Sequence, residues 1–286
     1  MLAIYKKELR SYFNSMIGYV FLALFLVIIG IYFFVQLLNG FANFEYTLSS
    51  LSIFFVLLSP LLTMRLMAEE NKQKTDQLLY TAPVSAASIV IGKLLAVITL
   101  FGIVMLITCT YPLILSLYGT VPFASAYSAI LAFSLMGAAY LSIGLFISSL
   151  TDSQIVAAVI TYVLFVFTFF MDGIASFFPS DNKTALGVFT VLLLIICVIL
   201  YKMMQNLTVA VLIGLAAEAV MVAVYFIKPT LFDGSIVNVF GWLSVVTRFD
   251  NFYMGVFDVS GLVYYISIIC LFAFLTIQSI RKKRWS

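Results

Sequence analysis

The sequence predicts an all-α polytopic membrane protein with about eight transmembrane helices. Three observations predict it. Hydrophobic residues make up 64% of the 286 residues and charged residues only 9%, against roughly 25% charged in a soluble domain. Uncharged runs of about 20 residues, long enough to cross a bilayer, recur along the whole chain. The basic residues are sorted by side. With both termini inside, twelve of the fifteen lysines and arginines fall in inner segments and only Lys183, Lys228 and Arg248 fall outside, the asymmetry of the positive-inside rule.

Residues 1–15 open the chain as an amphipathic helix. Leu2, Tyr5, Leu9, Tyr12 and Met16 recur at spacings of three and four, with Lys6, Lys7, Arg10, Ser11 and Asn14 between them. Such a helix lies in the interface with its cations toward an anionic leaflet, and the same cations serve equally as a positive flank for the first span. That span, Ile17–Leu38, is too long for a cleavable signal and lacks a small-x-small end. A polar link with Asn39, Asn43 and Glu45 leads to the second span, Leu48–Leu66.

Residues 69–85 form the one long polar interruption in the first half of the chain, within the stretch Met64–Ser85. Arg65, Glu69, Glu70, Lys72, Lys74 and Asp76 give it the mixed charge of a surface that meets a soluble protein, although an ordinary solvated loop has the same composition. Thr75 is placed to cap a short helix whose first residue, Asp76, suits the positive end of the helix dipole. Pro83 limits that helix to two turns, and Leu78 and Leu79 would face whatever lies below. Ser85 is placed to cap the next helix.

From Lys93 to Asp152 the intervening residues carry no charge, too long a stretch for one crossing. The turn residues Tyr118-Gly119-Thr120-Val121-Pro122 divide it into spans at Ser88–Leu117 and Tyr127–Leu150. A turn at Thr151-Asp152-Ser153 leads to a fifth span ending near Met171, and the loop Asp172–Lys183 reads as interfacial. Spans at Leu186–Leu200 and Leu207–Ile227 follow, a pair that also fits one re-entrant hairpin. An outer polar-aromatic segment, residues 228–258, precedes the last span, Val259–Ile280.

The chemistry-bearing patterns are mostly missing. There is no phosphate-binding Gly-x-x-x-x-Gly-Lys-Ser/Thr loop, no Gly-x-Ser-x-Gly elbow and no histidine, which removes the commonest neutral-pH base and metal ligand. Cys109, Cys197 and Cys270 all fall in apolar spans, so no disulfide framework or metal set forms. The basic residues make no single patch for nucleic acid. Glu218 is the one acid deep in a span. It sits with Ala210 and Gly214 on a small-residue stripe, and reads either as a proton or substrate contact or as a hydrogen-bonded structural carboxyl. Gly137, Gly144 and Ser148 read as packing residues of the fourth span. Work done by this chain must draw on a gradient or on another subunit.

Three patches carry a family resemblance. Glu69-Glu70, Lys74-Thr75-Asp76-Gln77-Leu78-Leu79, Ala82-Pro83-Val84-Ser85 and Gly92-Lys93 together resemble the intracellular segment of ABC-2 type transporter permeases. Tyr5-Lys6-Lys7-Glu8-Leu9-Arg10-Ser11-Tyr12-Phe13 is similar to that family's connecting helix. Arg248-Phe249, Phe252, Gly255-Val256-Phe257-Asp258 and Tyr264-Tyr265 are similar to its last outer segment, nearest the gliding-motility-type branch.

The resemblance implies a single transmembrane domain over residues 1–286, the membrane-spanning subunit of an ATP-driven exporter in a prokaryotic cell membrane. It implies two copies of a cytoplasmic ABC ATPase that carry the ATP and magnesium, and a second permease copy or homologue beside this one, all among membrane lipids. By the same resemblance Glu69 and Glu70 border the ATPase contact, Thr75 to Leu79 form the coupling helix, and this chain is not itself an enzyme and binds no cofactor. The family's usual Gly-Thr-x-Glu is here Lys74-Thr75-Asp76-Gln77, and the spans over 186–227 exceed its six-span core. The rival readings are a non-transporting anchor of an ATPase-driven envelope complex and, third, a gradient-driven carrier.

Overall fold

The computed structural model describes residues 1–40, 43–75, 84–177, 181–204, 207–228 and 232–285. Fourteen helices, and no strand, lie among the described residues. In chain order they are α1 (Leu2–Asn14), α2 (Met16–Leu38), α3 (Phe44–Thr63), α4 (Ala68–Gln73), α5 (Ala86–Thr108), α6 (Tyr111–Leu115), α7 (Phe123–Leu150) and α8 (Gln154–Phe169). After them come α9 (Met171–Ser176), α10 (Asn182–Met204), α11 (Leu207–Ile227), α12 (Ser235–Leu243), α13 (Thr247–Tyr253) and α14 (Val259–Trp285). The chain is an all-α polytopic membrane protein. Among the described residues five stretches are long and apolar enough to cross a membrane: Met16–Leu38, Phe44–Gln73, Ala86–Leu115, Phe123–Leu150 and Val259–Lys283. A helix also occupies each of the other three expected spans, as α8, α10 and α11.

The third expected span, Ser88–Leu117, is not one continuous helix. It ends at Thr108 and resumes as α6, with Pro112 in the first turn. Proline has no N–H to give to the preceding turn and its ring crowds the carbonyl four residues back, so the ladder breaks just before it. Residues 232–258 of the expected outer segment contain two helices, α12 and α13.

Contacts divide the chain into two compact units, Met1–Phe169 with Val245–Ser286, and Phe170–Ser244. In the first unit α7 is the hub, packing against α3, α5, α8, α13 and α14. Its centre is a cluster of rings from four helices: Phe55 lies 5.9 Å from Phe25, 4.7 Å from Phe101 and 5.9 Å from Phe133. Small residues on α7 bring its neighbours close. A Cβ on Gly137 would strike the Phe101 ring, and one on Gly144 would strike the Thr63 side chain.

In the second unit α10 packs against α11 and α9 against α12. Phe232 joins Ala185 and Ile236 in a small core, with Tyr225 and Phe189 stacked edge-on to Phe232. Ser244 donates a 3.1 Å hydrogen bond to Asp172, tying the ends of this unit together.

Candidate ATPase-coupling site

α1 has two working faces. Of the expected apolar stripe, Leu2 is exposed, as is Met16, which begins α2, and Tyr12 is buried; the inward face is Ile4, Glu8 and Tyr12, spaced by four and buried against the protein. The helix lies directly on α5. A Cβ on Gly92 would come within 3.2 Å of both the Ile4 side chain and the Met1 carbonyl. Tyr12 donates a 2.7 Å hydrogen bond to the Leu62 carbonyl near the end of α3.

Next to Gly92, the Lys93 ammonium is 1% exposed. Burying an unpaired charge there would be prohibitive, so it needs partners for all three of its protons. It has them: Glu8 at 2.9 Å, Glu70 at 2.8 Å and the Leu66 carbonyl at 2.6 Å. The other oxygen of Glu70 takes Lys7 at 2.8 Å. Two lysines and two glutamates therefore form a neutral cluster that joins α1, α4 and α5. Burial works against the charge on Lys7, but the hydrogen bond and charge of Glu70, with the charge of Glu8, hold its ammonium above the ordinary lysine range. Beside the cluster Arg65 pairs with Glu69 at 2.8 Å. That pair is partly solvated and adds at most about 1 kcal/mol.

α4, which presents Glu69 and Glu70, has no cap of its own, because Met67 stands at its N-cap. Ser148, fully buried near the end of α7, supplies one from outside. Its hydroxyl accepts from the Met67 and Ala68 amides, each at 3.0 Å, and donates to the Met64 carbonyl at 3.1 Å. Asn71 adds a 3.1 Å bond to the Thr151 carbonyl, so α4 is fastened to the α7–α8 turn as well.

At its other end α4 closes in a Schellman turn. Lys74 donates to Asn71 at 3.2 Å and Thr75 to Glu70 at 3.1 Å, with Lys74 left-handed at φ 54°. Thr75 thus closes α4. Left-handed backbone costs a side-chain-bearing residue roughly 1–2 kcal/mol, and Lys74 is the position where the resemblance leads one to expect glycine. Lys74→Gly is expected to strengthen this turn by about 0.5–1 kcal/mol, seen as slower hydrogen exchange at the Thr75 amide. Faster exchange there would refute the assignment of strain. Ser85 caps α5 as expected, accepting from the Ser88 amide at 3.2 Å.

The structure thus brings Glu69, Glu70 and Thr75 together with Lys7, Glu8, Arg65 and Lys93 at one end of the first unit. Asp76, Leu78 and Leu79 lie outside the described residues. Glu218 is elsewhere, half-buried in the second unit, in a cleft between α10 and α11 with Thr190, Leu194 and Cys197. Gly214, one turn earlier, abuts the Cys197 sulfur. Glu45 proves to be in the first turn of α3 and 3% exposed, with no hydrogen-bond partner among the described residues. Its carboxyl group sits at the positive end of the α3 dipole.

The third resembling patch is built like the α4 turn. Gly255, at φ 80°, closes α13 with bonds from Gly255 to Phe252 at 3.0 Å and from Val256 to Asn251 at 2.9 Å. Asp258 then caps α14, accepting from the Ser260 amide at 2.8 Å and the Asn251 side chain at 2.7 Å, and these bonds hold its carboxyl below the usual range. Arg248 lies 5.5 Å over the Tyr264 ring.

No group of three or more potential metal-ligating acids or cysteines occurs among the described residues. No curated protein matches the sequence. Residues 35–228, about two thirds of the chain, match the family described as ABC-2 family transporter protein. The match runs from the end of α2 through α11 and takes in α4, Ser148 and Lys93, though not α1, whose Glu8 completes the ion cluster. The chain belongs to the ABC-2 transporter family and is a membrane-spanning permease subunit of an ABC transporter.

Proposed function

We propose that this permease works in an ATP-driven exporter, with the α4 end of the first unit facing the cytoplasm and taking force from a separate ABC ATPase. The observation that carries the reading is the buried Lys93 shared by Glu8 and Glu70. It makes α1, α4 and the start of α5 one mechanical body, immediately before the segment 76–83 that would meet the ATPase. A push on that segment is then delivered to α5 through Lys93 and to α7 through Ser148, rather than lost in a loose loop.

The complete machine on this reading holds two ATPase copies and two permeases in a prokaryotic cell membrane. Both termini are cytoplasmic and the chain crosses eight times. Within the family we assign it nearest the gliding-motility-type branch, on the strength of the Arg248–Asp258 stretch.

The test is co-expression with a candidate ABC ATPase from the same genome and capture of the pair from detergent. The wild type is expected to retain the ATPase. Leu78→Asp with Leu79→Asp is expected to release at least nine tenths of it at unchanged permease yield, because two charges then replace the apolar contact. Full retention by that variant would show that the ATPase docks elsewhere.

A further inference from the structure

A second cleft opens beside the ion cluster, between α1 and Arg65. It is lined by Lys6, Lys7, Arg10, Ser11, Asn14 and Arg65 among others, and no carboxylate among the described residues lines it. Lys7 and Arg65 are neutralised by Glu70 and Glu69. Lys6 and Arg10 are exposed and have no ion-pair partner among the described residues. The cleft therefore keeps two uncompensated positive charges, together with hydroxyl and amide donors. Hydroxyl, amide and cationic donors in one concavity suit a phosphate group. Leu2, at the start of α1, and Met16, the first residue of α2, are both exposed, so apolar side chains of the kind that enter the acyl boundary of a bilayer flank the cationic helix at both ends.

We propose that this cleft binds the phosphate headgroup of an anionic phospholipid of the leaflet in which α1 lies. A zwitterionic lipid carries its own ammonium beside the phosphate and gains little from two free cations, so the net charge of the cleft selects for anionic headgroups. The occupant is also tied to the coupling site. Lys7, Ser11 and Arg65 line both this cleft and the neighbouring one that holds Glu69 and Glu70. A phosphate here draws on the cations that those glutamates hold, so lipid composition sets how tightly α4 is clasped. The inference rests on the reading that this face lies toward an anionic leaflet. It does not depend on the ATPase contact.

The experiment is native mass spectrometry of the purified full chain titrated with phosphatidylglycerol or phosphatidylcholine. Wild type is expected to retain phosphatidylglycerol preferentially. Near an anionic surface each cation is worth about fivefold in binding, so Lys6→Gln with Arg10→Gln is expected to weaken phosphatidylglycerol retention about 25-fold and leave phosphatidylcholine unchanged. Ser11→Glu keeps every cation but puts a negative charge in the cleft, and is expected to do the same should the double variant fold poorly. Lys72→Gln, a cation outside the cleft, is expected to change nothing. Retention unaffected by both cleft variants, or reduced equally by Lys72→Gln, would overturn the site. Displacement of the lipid by millimolar inorganic phosphate would overturn the choice of a lipid over a soluble anion. Because ATPase capture is not read, failure here leaves the docking assignment standing, and the reverse holds too.

Discussion

Lys93→Met is expected to destabilise the first unit by about 3–5 kcal/mol, the usual cost of removing one partner from a buried ion pair. Methionine fills much of the same volume, so packing changes little and the loss is electrostatic. Glu8, 9% exposed, then has only the 4.0 Å contact with Lys7, and Glu70 loses one of its two cations. The Leu66 carbonyl loses its donor as well. The measurement is thermal unfolding in mixed detergent and SDS micelles, where a loss of this size lowers the melting temperature by roughly 6–20 °C. Adding Glu8→Gln to Lys93→Met is expected to recover part of it, since a neutral amide is cheaper to bury than an unpaired carboxylate. A single variant as stable as wild type would mean that the cluster is solvated and holds nothing together. On the coupling reading the same variant also lowers transport more than it lowers ATPase binding, because α4 would move without taking α5 with it.

Ser148→Ala is expected to cost about 2–4 kcal/mol, more than an ordinary helix-cap deletion of about 1 kcal/mol. One hydroxyl here serves three backbone groups, the Met67 and Ala68 amides and the Met64 carbonyl. Each buried group left without a partner costs about 1–3 kcal/mol. The damage is expected to be local. Amide exchange should speed up across α4, including the Thr75 amide at its far end, while the ring cluster around Phe55 stays protected. Ser148→Thr keeps a hydroxyl and is expected to preserve part of the protection. Unchanged exchange in α4 for Ser148→Ala would show that the helix is held by its ion pairs alone.

The membrane spans were legible because apolar length is a property of each segment by itself. α2, α3, α7 and α14 begin or end within a few residues of where hydropathy and turn residues put them. The break before Pro112 was also written in the sequence, but the stronger turn chemistry at Tyr118–Pro122 drew the boundary away from it. The candidate coupling site was legible in outline only. Its polar residues stand out against the apolar background, and Glu69, Glu70 and Thr75 are gathered in one place as the pattern suggests.

What joins them was not legible, because it comes from far along the chain. Lys93 reaches Glu8 across 85 residues, and α4 depends on a serine 80 residues beyond it. Nothing local marks Met67 as the start of a helix. Glu8 was hidden for a different reason. Periodicity assigns polar residues of an amphipathic helix to water, whereas here one of them turns inward to meet a buried cation. Lys93 did stand out as a lone charge at the start of an apolar span, and a search for its counter-ion would have pointed back to α1 and α4.

The borrowed cap on α4 also sets an order of events during synthesis. When the ribosome has made α1 through α5, Lys93 already has Glu8 within reach, but the Met67 and Ala68 amides have no acceptor until Ser148 follows, near the end of the next membrane span. The α4 face is thus finished last among its own parts, after the hub helix is in the membrane. On the coupling reading, a nascent permease offers no completed docking surface, and a partner that recognises α4 in its capped form engages only chains whose hub has already been inserted.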